Sequence, residues 1–443
     1  MHLPSNPPAF DTEQLTRRVL DRAATVVVVG QGYVGLTLAC AAAEVGFSVT
    51  GIDVDQDRID ALGRGELVVP GVDESVFRTG LEGRRLAFSS EWGPIRRADL
   101  VFICVPTPLR DRSPDLKHIE EASRDIAANL RPGSLVVLES TTYPGTTETL
   151  VQPILEAWRL RAGIDFLLAY SPERVDPGNV EFGMRNTPKL VGGTSPEATS
   201  IATAFYQQLV DKVIPMSSTR TAETAKLLEN TFRHINIGLV NELAMLCHEL
   251  DIDVWEVIEA AATKPFGFMP FFPGPGVGGH CVPLDPTYLA WQVMRESGRR
   301  FGVLEEAQDV NERMPKYVAS RASEILNAQG RSVKGARLLI LGVSYKADVG
   351  DVRESPSLQA MQVLHRKGAD VRFHDPYVPE LELGGETVIC VPSLEDELEE
   401  TDLVLLLTPH ETYDLDQIAD LAPVVFDARN AYGAAAPANV VRL

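Results

Sequence analysis

Cysteine is scarce in this sequence: five in 443 residues, at Cys40, Cys104, Cys247, Cys281 and Cys390, with no CxxC pair and no Cys/His group at metal-ligand spacing. That argues against a disulfide scaffold and against a zinc site, so no metal is expected and a reducing cytoplasm fits. No apolar run approaches the roughly 20 residues that cross a bilayer as a helix, so no membrane partner is expected either. Positive charge is short as well, with 41 basic against 62 acidic residues for a net charge of -21. Nucleic acid is therefore not expected as a partner, because its phosphates are held by clustered Lys and Arg. A small anionic ligand would need individually placed basic side chains and backbone N–H groups working against the overall field. Residues 1–22 lack the basic start and apolar stretch of a secretory signal and read as a short extension, helical from Thr12 to Arg22.

What is present is a soluble, globular composition, 44% hydrophobic and 23% charged, in a chain long enough for about two to four domains. From Thr25 an apolar strand, a glycine turn, a small-residue helix from Val34 to Val45 and a second strand from Phe47 to Ile52 form a βαβ unit. Strand candidates at Leu100 to Val105, Leu135 to Glu139 and Phe166 to Tyr170 extend it into a doubly wound parallel sheet. Between Ser217 and Ala262 the apolar residues Leu227, Leu228, Phe232, Ile235, Leu239, Leu243 and Leu246 keep helical spacing, which predicts one long helix. A Pro/Gly-rich loop from Lys264 to Pro286 and a helical region to Gln329 follow. From Ala336 the alternation resumes, with strands at Arg337 to Leu341, Asp370 to His374, near Val388, Leu403 to Leu407 and Val424 to Asp427, and a helix from Pro356 to Arg366. The expected class is α/β: two Rossmann-like doubly wound parallel-sheet domains joined by a helical dimerisation domain. The expected boundaries are an extension at 1–22, a dinucleotide domain at 23–212, a helical domain at 213–330 and a last α/β domain at 331–443. The phrase before Asp53 has a short echo in Lys367-Gly368-Ala369-Asp370-Val371 before Asp375.

Gly30-Gln31-Gly32-Tyr33-Val34-Gly35 matches GxGxxG directly after a strand and opening a helix. Its glycines allow the tight turn, close approach of backbone to a pyrophosphate and helix-on-sheet packing, and the helix N-terminus favours the anion. Asp53, at the end of the next strand, suits the adenosine ribose hydroxyls and repels a 2′-phosphate, which favours NAD over NADP. The bland alternative is that Asp53 only caps the next turn. Arg58 could face the adenine or phosphates, or be a solvated charge.

The segment Gly274 to Pro286 carries four glycines within six residues beside Cys281 and Asp285. A cysteine can attack an aldehyde, and the thiohemiacetal can give up a hydride to become a thioester that water hydrolyses. A free cysteine is more often buried and inert, and Asp285 before Pro286 also reads as a helix N-cap, so the loop alone leaves both open. Lys226, Asn230, His234 and Asn241 lie at spacings of four, four and seven on one helix face, with Arg233 beside it. Such a face is either solvated or suited to a polar ligand.

With these motifs in order, the sequence resembles the UDP-glucose/GDP-mannose dehydrogenase family over nearly its whole length. The matching segments are Gly30 to Gly35, Val105 to Pro108 (VPTP), Ser140 to Thr147 (STTYPGTT), Ser171 to Gly178 (SPERVDPG), Glu223 to Asn230 (ETAKLLEN), Gly276 to Asp285 (GVGGHCVPLD) and Gly342 to Ser355 (GVSYKADVGDVRES). The resemblance implies a four-electron, two-NAD oxidation of the C6 alcohol of a UDP-sugar through a cysteine thioester. It implies catalytic roles for Cys281 as nucleophile, Asp285 as its partner, Lys226 and Asn230 at the developing oxyanion, Glu173 as general acid/base and Thr141 in orienting water. Cofactor contacts are implied for Gly30, Gly32, Tyr33, Val34, Gly35, Asp53, Arg58, Pro106, Thr107, Thr141 and Arg353. Substrate contacts are implied for Glu173, Arg174, Lys226, Asn230, Arg233, His234, Phe271, Gly279, Tyr345, Lys346 and Arg429.

Some positions depart from the UDP-glucose pattern: Pro177 replaces a second glutamate, His280 and Val282 flank the cysteine, and Leu284 precedes the aspartate. With Arg233-His234-Ile235-Asn236 and the segment Pro265 to Phe271, these point to the branch acting on 2-acetamido sugars. UDP-N-acetylglucosamine is the first expectation, UDP-N-acetylmannosamine the second and UDP-glucose the third. The expected enzyme is a homodimer or higher homo-oligomer. A nucleotide-binding sensor without catalysis is the competing class.

Overall fold

The computed structural model describes residues 10–69, 72–110, 113–175, 179, 181–279 and 281–443, the last without the Cys281 side chain. It divides into two compact units, one running to Glu229 and including Thr287–Glu296, the other comprising Asn230–Pro286 and Ser297–Leu443.

The first unit is built on an eight-stranded sheet. In spatial order its strands are Val213–Pro215, Lys189–Gly193, Leu167–Tyr170, Leu135–Leu138, Leu100–Ile103, Thr25–Val29, Ser48–Ile52 and Leu86–Ser89. Six are mutually parallel, while Lys189–Gly193 runs antiparallel to Leu167–Tyr170 and carries Val213–Pro215 parallel to itself. Sequence reading missed Leu86–Ser89 and these two, which are short or interrupted by glycine and proline. Both faces of the sheet are covered, so its central strands are apolar on both sides. Val26, Val28, Leu100 and Phe102 enter one core, and Val27, Val29, Val101 and Ile103 enter the other. The Thr12–Leu20 helix, capped by Asp11, buries Leu15 and Val19 in the first core. It is tied down by Arg18, whose guanidinium lies 2.6 Å from Asp99.

The second unit carries a five-stranded parallel sheet in the order Asp370–His374, Arg337–Leu341, Leu403–Leu406, Val425–Asp427 and Val440–Arg442. The strand expected near Val388 is instead half of a separate antiparallel hairpin, Glu380–Leu383 with Glu386–Ile389. The short sequence echo has a structural counterpart. Gly30 donates its N–H to Ile52 at 2.7 Å, and Gly342 donates to His374 at 3.0 Å. Asp53 accepts from the Gln31 N–H at 2.7 Å, and Asp375 accepts from the Val343 N–H at 2.9 Å. The same strand, turn and acid geometry is thus used twice.

The long helix is broken where Asp251 takes a φ of 57° and Asp253 caps a new start, giving Thr219–Glu249 and Val254–Ala262. The Pro/Gly-rich loop ends sooner than expected, because a helix begins at Cys281 and runs to Ser297 with Pro286 inside it. Asp285 therefore sits within that helix and is not its N-cap. Prolines this close to a helix start remove N–H groups that mostly have no helical partner. No described helix is long and apolar enough to cross a membrane.

Candidate active site

In the first unit the crevice opens at the carboxyl ends of Thr25–Val29 and Leu100–Ile103, where the strand order reverses. Gly30 has a φ of +92°, and a Cβ there would stand 2.6 Å from the Cys104 carbonyl oxygen. A Cβ on Gly35 would stand 1.8 Å from the Gly30 oxygen. Gly32 is the N-cap of the Tyr33–Glu44 helix, offers its first N–H groups no side-chain acceptor and has open space above it. A helix N-terminus without a side-chain cap, its dipole and room for an anion fit the pyrophosphate of NAD. Tyr33 and Val34 form the first turn of that helix, and Pro106 and the buried Thr107 follow the neighbouring strand, with Tyr288 donating to the Thr107 carbonyl.

Asp53 is nearly buried and does two things at once. It accepts from Gln31 N–H at 2.7 Å and from Asp55 N–H at 3.0 Å, the local turn-capping of the bland reading, and it also holds Arg58 at 3.0 Å. Arg58 thus faces the strand-end carboxylate.

Glu173 lies beyond the Leu167–Tyr170 strand. One oxygen accepts from the N–H groups of Arg174 and Val175 at 2.8 and 2.7 Å, and the other lies 2.9 Å from Lys189. Burial pushes this carboxyl up, but Lys189 and the two N–H groups outweigh it and hold Glu173 below the usual range. That state suits a base more than an acid. Arg174 is committed to Glu229 at 2.7 Å and to the Pro188 carbonyl. Thr141 follows Ser140, whose hydroxyl donates to Val105 at 2.7 Å. Glu223 holds this loop to the Thr219–Glu249 helix by accepting from Thr147 N–H at 3.0 Å and its hydroxyl at 2.7 Å. Lys226, three residues beyond it, is 8% exposed, and no described residue gives its ammonium a hydrogen bond or ion pair.

Asn230 opens the second unit's share of that helix and donates its amide to Asp285. Asp285 is buried and stands one helical turn after Cys281, the first residue of the Cys281–Ser297 helix. Pro177 and His280 lie outside the described residues.

His234 and Asn241 turn out to be structural. Asn241 accepts from Gly274 N–H at 3.0 Å and donates to Asn311 at 2.9 Å, while Asn311 donates to the His234 carbonyl at 3.2 Å. Burial pushes His234 down to about 4, so it is neutral. Arg233 is exposed, about 100° round the helix from buried His234, so the two side chains do not share one face. Phe271 packs edge-on to Phe232 at 5.7 Å.

The glycine loop is required by close contacts within the second unit. A Cβ on Gly279 would meet the Tyr345 ring at 2.8 Å, and one on Gly274 would meet the Arg429 guanidinium at 2.6 Å. Arg429 donates to the Leu407 carbonyl at 3.1 Å, and burial lowers it to about 10, with Asp427 opposing. No described side chain gives this guanidinium an ion pair, which leaves its charge for an anionic ligand. Arg353 is largely exposed, chelates Asp351 at 2.6 Å, and its carbonyl accepts from Gly279 N–H at 3.1 Å; Lys346 is half-buried next to Tyr345. Sequence reasoning missed Glu139 and Lys189, which contact Glu173's surroundings from distant segments. Their only signal was a charged residue at the end of one apolar strand and the start of another.

Comparison with known proteins matches three domains of one family. These are the UDP-glucose/GDP-mannose dehydrogenase family NAD binding domain at residues 24–210, its central domain at 220–313 and its UDP binding domain at 339–434. A UDP-N-acetyl-D-mannosamine dehydrogenase from Pyrococcus horikoshii is 35% identical over 390 residues, covering 88% of this chain and 90% of that one. An NDP-N-acetyl-D-galactosaminuronic acid dehydrogenase from Ralstonia nicotianae is 35% identical, covering 93% and 96%. The solved structure of the UDP-D-ManNAc dehydrogenase from Pyrococcus horikoshii superposes with a TM-score of 0.85 at 32% identity, covering 94% of this chain and 98% of that one. With all three domains matched in order along one chain, it belongs to the UDP-glucose/GDP-mannose dehydrogenase family and is an NAD-dependent UDP-sugar dehydrogenase, an oxidoreductase acting on CH–OH.

Proposed function

We propose that this chain is a UDP-N-acetyl-D-mannosamine 6-dehydrogenase that carries the C6 alcohol to the carboxylate in two oxidations. The observation that carries the catalytic reading is Lys226, a nearly buried ammonium without a described partner, one helical turn before Asn230, whose amide engages Asp285. An unpaired buried cation is costly unless a ligand supplies the counter-charge, and an alkoxide oxygen developing on the sugar would do so. The sugar assignment rests on relatives: the Pyrococcus protein is named for UDP-N-acetylmannosamine, so this substrate moves ahead of UDP-N-acetylglucosamine. The Ralstonia relative is named for another acetamido sugar, which keeps the 2-acetamido group as the common element.

When bound, NAD supplies the hydride acceptor for each oxidation. The Cys281 thiol adds to the C6 aldehyde, forming a C–S bond while its proton passes to the oxygen. Loss of hydride and a proton leaves a thioester. Water then forms a C–O bond, the C–S bond breaks, and the acid and the free thiol result. Glu173 serves as base toward that water, Lys226 and Asn230 steady the oxygen that gains charge, and Arg429 with Lys346 binds the UDP moiety. Exposed Phe232, Leu239 and Leu246 on the Thr219–Glu249 helix, with Phe266, Met269 and Phe272 beyond it, are the surface we assign to a homodimer.

The test is a panel of UDP-N-acetylmannosamine, UDP-N-acetylglucosamine, UDP-N-acetylgalactosamine and UDP-glucose with NAD, products identified by mass. Highest kcat/KM with the first, and two NADH per sugar, is expected. A better substrate among the others reassigns the sugar, and one NADH per sugar removes the thioester route. Glu173→Gln should accumulate a sugar adduct on Cys281, visible by intact-protein mass spectrometry.

A further inference from the structure

Three charged or polar groups from distant segments meet beneath Glu173. Lys189, at the start of the Lys189–Gly193 strand, places its ammonium 2.9 Å from Glu173 and 3.4 Å from Glu139, with its side chain 4% exposed. Glu139 follows the Leu135–Leu138 strand and is fully buried, accepting from the Tyr206 hydroxyl, with the Cys104 sulfur at 4.0 Å. The Tyr206 ring lies 5.2 Å from the Lys189 ammonium. A buried lysine between two acids, beside an apolar core, is rare and unfavourable unless each charge is matched.

We propose that Lys189 is a positioning residue for Glu173, clamping its carboxylate in one orientation and supplying the charge that makes it a base available at neutral pH. The inference rests on the reading of Glu173 as the base of the reaction. Glu173 has one oxygen filled by two backbone N–H groups and the other drawn to Lys189, so its rotation is fixed and only the 15% of its side chain left accessible can work on a ligand or water. The two acids are shifted in opposite directions. Burial, with Glu173 adding to it, pushes Glu139 up. Burial pulls Lys189 down, but the two acids outweigh it and keep the ammonium charged. Of the two acids, Glu173, the nearer to Lys189, is the one held below the usual carboxylate range. Arg174, next in the chain, is spent on Glu229 and does not compete.

A merely structural ion pair would change stability and leave the pH profile alone, so the profile is the readout. Rates are measured from about pH 5 to about pH 10 with whichever UDP-sugar of the panel turns over fastest, for wild type, Lys189→Met, Lys189→Arg, Glu139→Gln and Glu173→Gln. A base works when ionised, so activity falls below its pKa. Without the cation, burial dominates and the acid limb of kcat moves to higher pH, by about one unit or more. At neutral pH, Lys189→Met should lose about tenfold in kcat with KM for NAD little changed, and recover as pH rises. Lys189→Arg should keep the limb where wild type has it. A folded Lys189→Met with an unmoved limb overturns the proposal. Should that variant not fold, Glu139→Gln decides: with the competing acid gone, the limb stays or moves down, and an upward shift overturns the proposal. If instead Glu173→Gln turns over normally without a covalent adduct, the assignment of the base itself is wrong, a result distinct from either.

Discussion

Asp53 shows how one side chain can satisfy a structural and a functional reading together, since it caps its own turn, fastens Gln31 and holds Arg58. Asp53→Ser should remove the repulsion of a 2′-phosphate and release the Arg58 guanidinium to meet one. The NAD to NADP ratio of kcat/KM is expected to fall by about a hundredfold, with about 1–3 kcal/mol lost from leaving the Gln31 N–H unmatched. Steady-state kinetics with both cofactors and a thermal melt check this, and an unchanged ratio would show that Asp53 does not choose the cofactor. His234 gives a pH prediction. Its folded pKa of about 4 lies below the ordinary value near 6.5, so the unfolded chain takes up the proton first. Its contribution is fully present above about pH 6.5 and drains away as pH falls toward about 4, up to about 3 kcal/mol. Urea unfolding of wild type and His234→Gln across that window should show a shallower acid slope in the variant.

Among the elements, the central strands of the two sheets were legible because they are short apolar runs bounded by turn residues, and the glycine fingerprint because its demands are local, whereas the outer strands Leu86–Ser89, Lys189–Gly193, Val213–Pro215 and Val440–Arg442 were not. The Cys281–Ser297 helix was not, since its first turn holds prolines and follows a glycine-rich stretch that reads as irregular. The polar face of the Thr219–Glu249 helix was correctly found by spacing, but its division was not visible. Lys226 is buried without a described partner and Asn230 donates to Asp285, whereas His234 and Asn241 fasten the helix to Asn311 and to the glycine loop. Asn241→Ala should strand the Gly274 N–H and one side of Asn311, costing about 2–4 kcal/mol. Turnover should fall while NAD affinity holds, because the dinucleotide turn belongs to the other unit. A fluorescence titration with NAD beside a thermal melt measures both, and a variant as stable as wild type would contradict the anchoring role.

For the whole molecule, the exposed apolar residues of the Thr219–Glu249 helix recur at Leu228, Phe232, Leu239 and Leu246, a pattern a monomer would leave in water. Leu239→Glu combined with Phe232→Glu should convert a dimer to monomers in analytical ultracentrifugation, and a wild-type chain already monomeric would dismiss the proposed interface. Sequence alone determined the fold class, the glycine turn after the first strand and the family, and it named the acid proposed for the ribose and the residues proposed for the reaction, because each is written in periodicity or in a motif a few residues long. Tertiary structure alone decided that Lys189 and Glu139 stand behind Glu173, that His234 is neutral and packed, and that Arg233 and His234 part company. Those outcomes depend on segments tens of residues apart being brought within hydrogen-bonding distance and out of water, and no local spacing records which distant partner will arrive or how much solvent it will exclude.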